Sequence, residues 1–292
     1  MVTIVFRRIM NLKCFPLHAS FHRLLRFMQL ALVLIGLVIS ARGATFALQP
    51  PERNPEVVSD LVNEFNPRLG TFYYVIHWSD SKVADATITI ERDGDSYRMI
   101  ADEESTKFLD RIYRIRYRGE TIIRAADLAP VETVINQERG KNKQTEQIRY
   151  DADGKAEVVV SKKEPDASVT QEAYLISEET FAIDMFSAIF LARSFEWKEN
   201  ESQQFDVFSG KKRYLVTLDC IGKTVFKEGD INIDAWVIRP GVLKQNDPDA
   251  KTKHSEARVY LSADESRDLL KIKTNIGLGA VKMKLIRYEP NR

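Results

Sequence analysis

The chain has 292 residues, of which 44% are hydrophobic and 29% charged, with a formal net charge of +1. That length allows one or two domains with a real core, and the composition excludes a wholly disordered or fibrous protein. Two cysteines exclude a disulfide-dense scaffold and a multi-cysteine metal site.

The N-terminus gives the address. Arg7, Arg8, Lys13, Arg23 and Arg26 precede an apolar run from Phe27 to Ala41, with no acidic residue among them. A cationic stretch followed by a short apolar core is the layout of a secretory signal. The run is shorter than the roughly 20 residues a membrane-spanning helix needs, so a cleaved signal is preferred to an uncleaved anchor. Small residues permit cleavage at 43/44 or 47/48; the second is preferred, making residues 1–47 the signal and the periplasm the destination. No cysteine follows the run to carry a lipid, and the mature chain has no transmembrane segment. Residues 1–43 hold six bases and no acid, so the 43 bases and 42 acids of the whole chain become 37 and 42, a net charge near −5. An acidic chain has no bulk attraction to nucleic acid, which is excluded as a partner.

Residues 48–68 read as a Pro-rich tether, and residues 69–289 as a single β-rich domain. GTFYYVIHW from Gly70 is an aromatic, β-branched strand, and DATITIERDGD alternates before a hairpin turn at Arg92–Asp95. Residues 108–130 have two readings: a helix to Tyr113, or strands around Ile115–Tyr117 and Glu120–Arg124 with a hairpin at Arg118–Gly119. Further strands follow, with a turn at Asp151–Gly154. One helix is clear in SEETFAIDMFSAIFLARSF, where Phe186, Ile189, Phe190 and Arg193 share a face and Asp184 or Ser177 is the cap. The tail returns to strands, with 245–254 expected as a mobile loop and Val281, Met283 and Leu285 alternating with Lys282, Lys284 and Ile286. About a dozen strands and one helix, without a strand–helix rhythm, predict a mainly β fold. It is a large curved antiparallel sheet or half-open β-barrel with the helix in its concavity.

Little in the chain carries familiar chemistry. His77 lies on a strand and His254 in a loop, with no metal-ligand spacing between them, so no metal or cofactor is expected. Cys220, in the alternating run YLVTLDCIG, reads as a buried small hydrophobe. Asp264, Glu265 and Arg267 read as a solvated turn, and no nucleophile-elbow or phosphate-loop motif occurs. Phe72, Tyr74 and Trp78 on the first strand, with Phe186 and Phe190 on the helix, are core or the lining of a pocket. Arg193 is left to meet a polar headgroup, Asp184 or a sheet carboxylate.

The order of several segments resembles the bacterial domain-of-unknown-function family 3108 (DUF3108). They are GTFYY from Gly70, the Tyr113–Pro130 stretch ending LAP, DMFSAIFLAR from Asp184, FDVF from Phe205 with Gly210, Lys211 and Tyr214, VYLSAD from Val259 with Arg267, and IGLGAVKMKL from Ile276. Leu278, and Leu269 or Leu270, depart from its usual small residue and proline. The resemblance implies an exported β-rich domain similar in outline to periplasmic lipoprotein carriers, and it brings no catalytic set. Three functions follow in order of preference. The first is a non-enzymatic envelope protein that binds a lipid-like apolar or amphipathic ligand. The second is an interaction module for an envelope protein partner, and the third a polysaccharide or peptide hydrolase.

Overall fold

The computed structural model describes residues 65–291 except 153–154, 166, 177–182, 210–211, 229–230, 245–252, 255 and 277–278. The expected signal, its cleavage points and the tether up to residue 64 lie outside the described residues, as does Ser177. Strand β1 (Gly70–Trp78) opens a run of hairpins through β2 (Ser81–Asp93), β3 (Ser96–Ser105), β4 (Ile115–Arg124), β5 (Pro130–Arg139), β6 (Asn142–Tyr150), β7 (Ala156–Lys163) and β8 (Thr170–Ile176). A single turn of helix, α1 (Lys107–Asp110), interrupts the β3–β4 connection. After α2 (Met185–Ser194) the chain returns through β9 (Ser202–Ser209), β10 (Lys212–Glu228), β11 (Ile231–Lys244), the two-residue β12 (Lys253–His254), β13 (Arg258–Ser262), β14 (Leu269–Ile276) and β15 (Gly279–Pro290).

These strands form one open antiparallel sheet in the order β8-β7-β6-β5-β4-β3-β2-β1-β15-β14-β13-β11-β10-β9, with β12 beside β11. The sheet is rolled. Tyr150 on β6 and Phe208 on β9 are eleven strand-to-strand steps apart in that order, yet their rings are 6.2 Å apart. A flat sheet at about 4.8 Å per strand would separate them by roughly 50 Å. Rolling gives each strand one dry face and one wet face, which the alternation in the sequence encodes. Phe72, Tyr74 and Ile76 of β1 are buried, as are Ile88 and Ile90 of β2 and Val281 and Met283 of β15. The dry face is closed by α2, whose residues touch β1, β3, β4 and β9 and the β13–β14 turn.

Three expectations are corrected, and the expected turn at Arg92–Asp95 is kept, with Gly94 at φ +54°. First, Arg118–Gly119 is no hairpin: β4 runs unbroken from Ile115 to Arg124. Gly119 is there for packing, since a Cβ on it would lie 2.0 Å from the Phe186 ring of α2. Second, His254 is not in a loop but pairs with Gly241 in β12. Third, the described residues hold fifteen strands, more than the dozen the sequence suggested, and both readings of 108–130 are present in part, as helix α1 and then strand β4.

The Gly119 notch has a measurable consequence. Gly119→Ala should overpack the α2–β4 contact and lower stability by about 1–3 kcal/mol in urea unfolding. Adding Phe186→Leu should recover part of that loss. An unchanged unfolding midpoint for Gly119→Ala would mean that the ring yields freely and that the contact does not fix α2.

Candidate functional site

Helix α2 is nearly free of charge because it is buried on most of its surface: Phe186, Ala188, Phe190 and Leu191 are all core residues. Its ends therefore need polar partners inside the protein. At the N-terminus Asp184 is the cap, and its Oδ1 accepts the N–H groups of Phe186 (2.8 Å) and Ser187 (3.2 Å). Its Oδ2 accepts the hydroxyls of Ser187 at 2.7 Å and of Thr133 and Tyr150 at 2.9 Å. The Asp184 N–H in turn donates to the Tyr150 oxygen at 2.8 Å. A carboxylate that is 1% exposed thus has strands β5 and β6 holding it from beneath. Burial and the neighbouring Asp184 keep the Tyr150 phenol protonated, well above its ordinary range.

The C-terminal end is latched by Arg193. Its guanidinium donates to Asp268 Oδ1, the Ser266 carbonyl and the Arg267 carbonyl, each at 2.9 Å. Arg267 adopts φ +45°, a left-handed conformation uncommon for a non-glycine residue, and presents that carbonyl to the helix. Of the partners expected for Arg193, a carboxylate next to a strand is the one found; Asp184 lies at the opposite end of the helix. Asp268 was not singled out in the sequence, because nothing local distinguishes it from the solvated acids of the turn. Burial pushes Asp268 up and Arg193 down, and each counters the shift of the other.

The six residues nominated as pocket liners do not converge on one cavity. Phe72, Tyr74 and Arg193 surround a void of about 10 Å³, room for about one water. The Tyr74 hydroxyl there donates to the Leu269 carbonyl at 2.9 Å. Phe190 is wedged between Phe65 and Tyr97, both with centroids at 5.3 Å. Phe186 stacks on Tyr117 at 5.7 Å. Trp78 stands at the far end of β1, its indole N–H buried without a hydrogen-bond partner.

Space remains instead at the other end of α2, where β4, β5 and β6 face β9 across the opening of the sheet. A cavity of about 110 Å³ lies there. Its apolar wall is Ile135, Ile148, Met185 and Phe208; its polar wall is Tyr117, Gln137, Arg139, Glu146, Asp184 and Ser209. Burial, then Asp184, pushes the Glu146 carboxyl up, and burial holds the Tyr117 phenol protonated. Such a wall can orient a small polar head while the opposite wall desolvates an apolar group. Across β3–β4, Tyr117 pairs with Glu103. Glu103 is 3% exposed, its Oε1 has no hydrogen-bond partner, and burial pushes its carboxyl up to about 8. The sequence hides this group within Asp102-Glu103-Glu104, where only strand parity sends the middle acid inward. On the outer face a groove of about 350 Å³ crosses β3–β6, but its cations already face carboxylates: Arg118–Asp102, Arg116–Glu104 and Lys143–Glu138. Among the described residues no group of three or more His, Cys, Asp or Glu is placed to hold a metal ion. Cys220 is buried and its thiol is pushed up by burial, the setting of a packed side chain.

The family comparison covers most of this architecture: residues 73–286 match the family described as protein of unknown function (DUF3108). The chain belongs to the DUF3108 family. Among solved structures, the DUF3108 chain is similar to a beta-barrel-like DUF1849 protein from Brucella abortus, at 9% identity and TM-score 0.49, covering 78% of this chain and 100% of that one. It is also similar to a putative lipoprotein from Parabacteroides distasonis, at 8% identity and TM-score 0.33, over 77% and 98% of the two chains. The hypothetical lipoprotein YmcC from Escherichia coli matches at 7% identity and TM-score 0.30, over 82% and 100%. No curated protein matches the chain.

Two stability predictions follow from the buried charges. Arg193→Met leaves the buried Asp268 carboxylate with only the half-exposed Arg68 as a partner, at 3.2 Å, and removes the donor to the Ser266 and Arg267 carbonyls; it should cost about 3 kcal/mol in chemical unfolding. The double variant with Asp268→Leu should recover most of it, and a surface-like cost under about 1 kcal/mol would show that the latch is open in solution. For Glu103 the sign is opposite. Below pH 4.5 both folded and unfolded carboxyls are protonated; above it the unfolded chain releases a proton that the fold retains until about pH 8. Stability contributed by the neutral carboxyl is therefore lost progressively across that window. Glu103→Gln should stabilise the protein by about 3 kcal/mol at pH 7 and by almost nothing near pH 4. Parallel stability–pH curves for the two proteins would contradict the burial of this group.

Proposed function

We propose that this protein is a non-catalytic binding protein of the periplasm that holds an apolar or amphipathic ligand by one end, in the cavity at the N-terminus of α2. The observation that carries the reading is the contrast along α2. Its C-terminal half is packed to a void of about 10 Å³, while a cavity of about 110 Å³ with one apolar and one polar wall remains at its start. A cavity of about 150 Å³ holds a benzene ring, so the space suits a group of roughly that size rather than a whole acyl chain. Ile135, Ile148, Met185 and Phe208 would desolvate the apolar end, and Gln137, Arg139 and Ser209 would meet a polar head. The rolled open sheet with its inner helix supports the reading through the likeness in outline to periplasmic lipoprotein carriers that the family resemblance implies, and the cationic and apolar leader supports the address.

A second reading, a module that engages an envelope protein, draws on the packed C-terminal half of α2 and on Leu175, an exposed residue of edge strand β8. The two are separated by native mass spectrometry of protein taken from periplasm, followed by solvent extraction. The binding reading expects a stoichiometric amphiphile that is lost in Ile148→Trp, whose indole fills the cavity. A clean apo mass for the wild-type protein would overturn it in favour of the second.

A further inference from the structure

In an antiparallel meander alternate turns share one end of the sheet. The β1–β2, β3–β4, β5–β6 and β7–β8 turns are together at one end, and the β2–β3, β4–β5 and β6–β7 turns at the other. The two ends differ in chemistry. At the first, Phe108, Ile112 and Val169 are 67%, 59% and 62% exposed. Phe108 and Ile112 are four residues apart on and just after α1, so they project side by side. The Gly140 N–H donates to the Arg114 carbonyl at 2.8 Å, which ties the β5–β6 turn to this one, and Lys143 pairs with Lys163, which brings the β7–β8 turn alongside.

Cations lie in the same turns. Lys107, Arg111, Lys141 and Lys163 make no ion pair among the described residues. Among the described residues the nearby acids are largely engaged: Asp110 and Glu104 with Arg116, Glu138 with Arg114 and Lys143, and Asp85 with Lys82, leaving Glu164 and Asp80. The opposite turns present Asp95, Asp127 and Asp151 beside Arg92, Arg124 and Lys155, with Arg124 paired to Asp127, so cations there are matched by acids. Single exposed apolar residues are ordinary, but three at one end, set among free cations in a mature chain of net negative charge, are not.

We infer that this end of the sheet docks on an anionic phospholipid surface, Phe108 and Ile112 entering the headgroup–acyl boundary while Lys107, Arg111, Lys141 and Lys163 lie against the headgroups. A basic collar around protruding apolar side chains is the pattern that binds such a surface, with each cation contributing separately. A protein partner would be expected to offer carboxylates in fixed places to match the collar, whereas a bilayer needs only a negative plane. The inference does not depend on the ligand cavity.

The test reads one position locally, so that attachment through the N-terminal segment cannot imitate it. In the full chain carrying Cys14→Ser and Cys220→Ala, an environment-sensitive fluorophore is placed on Phe108→Cys or, as the control at the far end, on Asp127→Cys. Vesicles of phosphatidylcholine, with or without phosphatidylglycerol, are added. The probe at 108 should shift to the blue on phosphatidylglycerol vesicles and return in about 1 M salt, where charges are screened within about 3 Å. The probe at 127 should stay aqueous. Each of Lys107→Glu, Arg111→Glu and Lys141→Glu, added to the chain labelled at 108, should weaken binding as read by the probe at 108 by at least about fivefold. A probe at 108 that stays as aqueous as the one at 127, or binding indifferent to all three reversals, overturns the inference and leaves the patch to a protein partner. Either result leaves the extracted-ligand experiment to be judged separately.

Discussion

The structure depends on placing a helix inside a rolled sheet without leaving its ends unsatisfied. A helix terminus has four N–H or four C=O groups with no partner in the helix, and in a dry interior each must be answered by protein. Asp184 answers the first turn and is itself gripped by Ser187, Thr133 and Tyr150. At the last turn the Ser194 hydroxyl and the Trp197 indole N–H donate to the Leu191 and Ala192 carbonyls, while Arg193 ties that turn to the β13–β14 turn through two carbonyls and Asp268. With both ends fixed to opposite parts of the sheet, α2 acts as a strut of about 15 Å that sets how tightly the strands roll around it.

This strut also explains where the interior is full and where it is not. Near Arg193 the sheet continues through β1, β15 and β14, and aromatic side chains close on the helix from several strands. Near Asp184 the helix faces the place where the sheet stops, and β6 and β9 approach without a ladder between them. The unfilled volume and the polar side chains Arg139, Glu146 and Gln137 gather there. Glu103 lies one strand away with an unanswered oxygen, at a cost to stability that packing alone does not require. A buried carboxyl such as Glu103, kept with an unanswered oxygen, marks a part of the molecule where local rules of stability give way.

The sequence made the local rules legible and left the tertiary ones out of sight. Alternation in β1, β2 and β15 was readable because one face is dry, and α2 was readable because its apolar face stops at Arg193 and begins after a capping acid. Gly119 was misread because an Arg-Gly pair between β-branched segments looks like a turn; its actual reason is a phenylalanine 67 residues later in the chain. Arg193 and Asp268 are 75 residues apart, so their pairing has no local signature. The aromatic residues nominated from the sequence were visible by their bulk, but none of them lines the cavity, whose own aromatic side chains are Tyr117 and Phe208. The cavity was missed because emptiness depends on how the two ends of the sheet meet.

An open sheet has two edges, and each is a template for unwanted pairing. In this fold the β9 edge is engaged by the chain itself: Ile183 forms a parallel bridge with Val207, its N–H donating to Asp206 and its carbonyl accepting from Phe208. The bridge immediately precedes the Asp184 cap, so the residues that protect the edge also set the start of α2 and one wall of the cavity. Anything that widened the space between β6 and β9 would have to strain that bridge or the Tyr150–Asp184 bond. Edge protection, helix capping and cavity size are therefore coupled through Ile183 and Asp184. The same coupling limits the cavity to a small group unless the N-terminal end of α2 moves as a unit. The Arg193 latch lies at the far end of the helix, where it can serve as the fixed point of that motion.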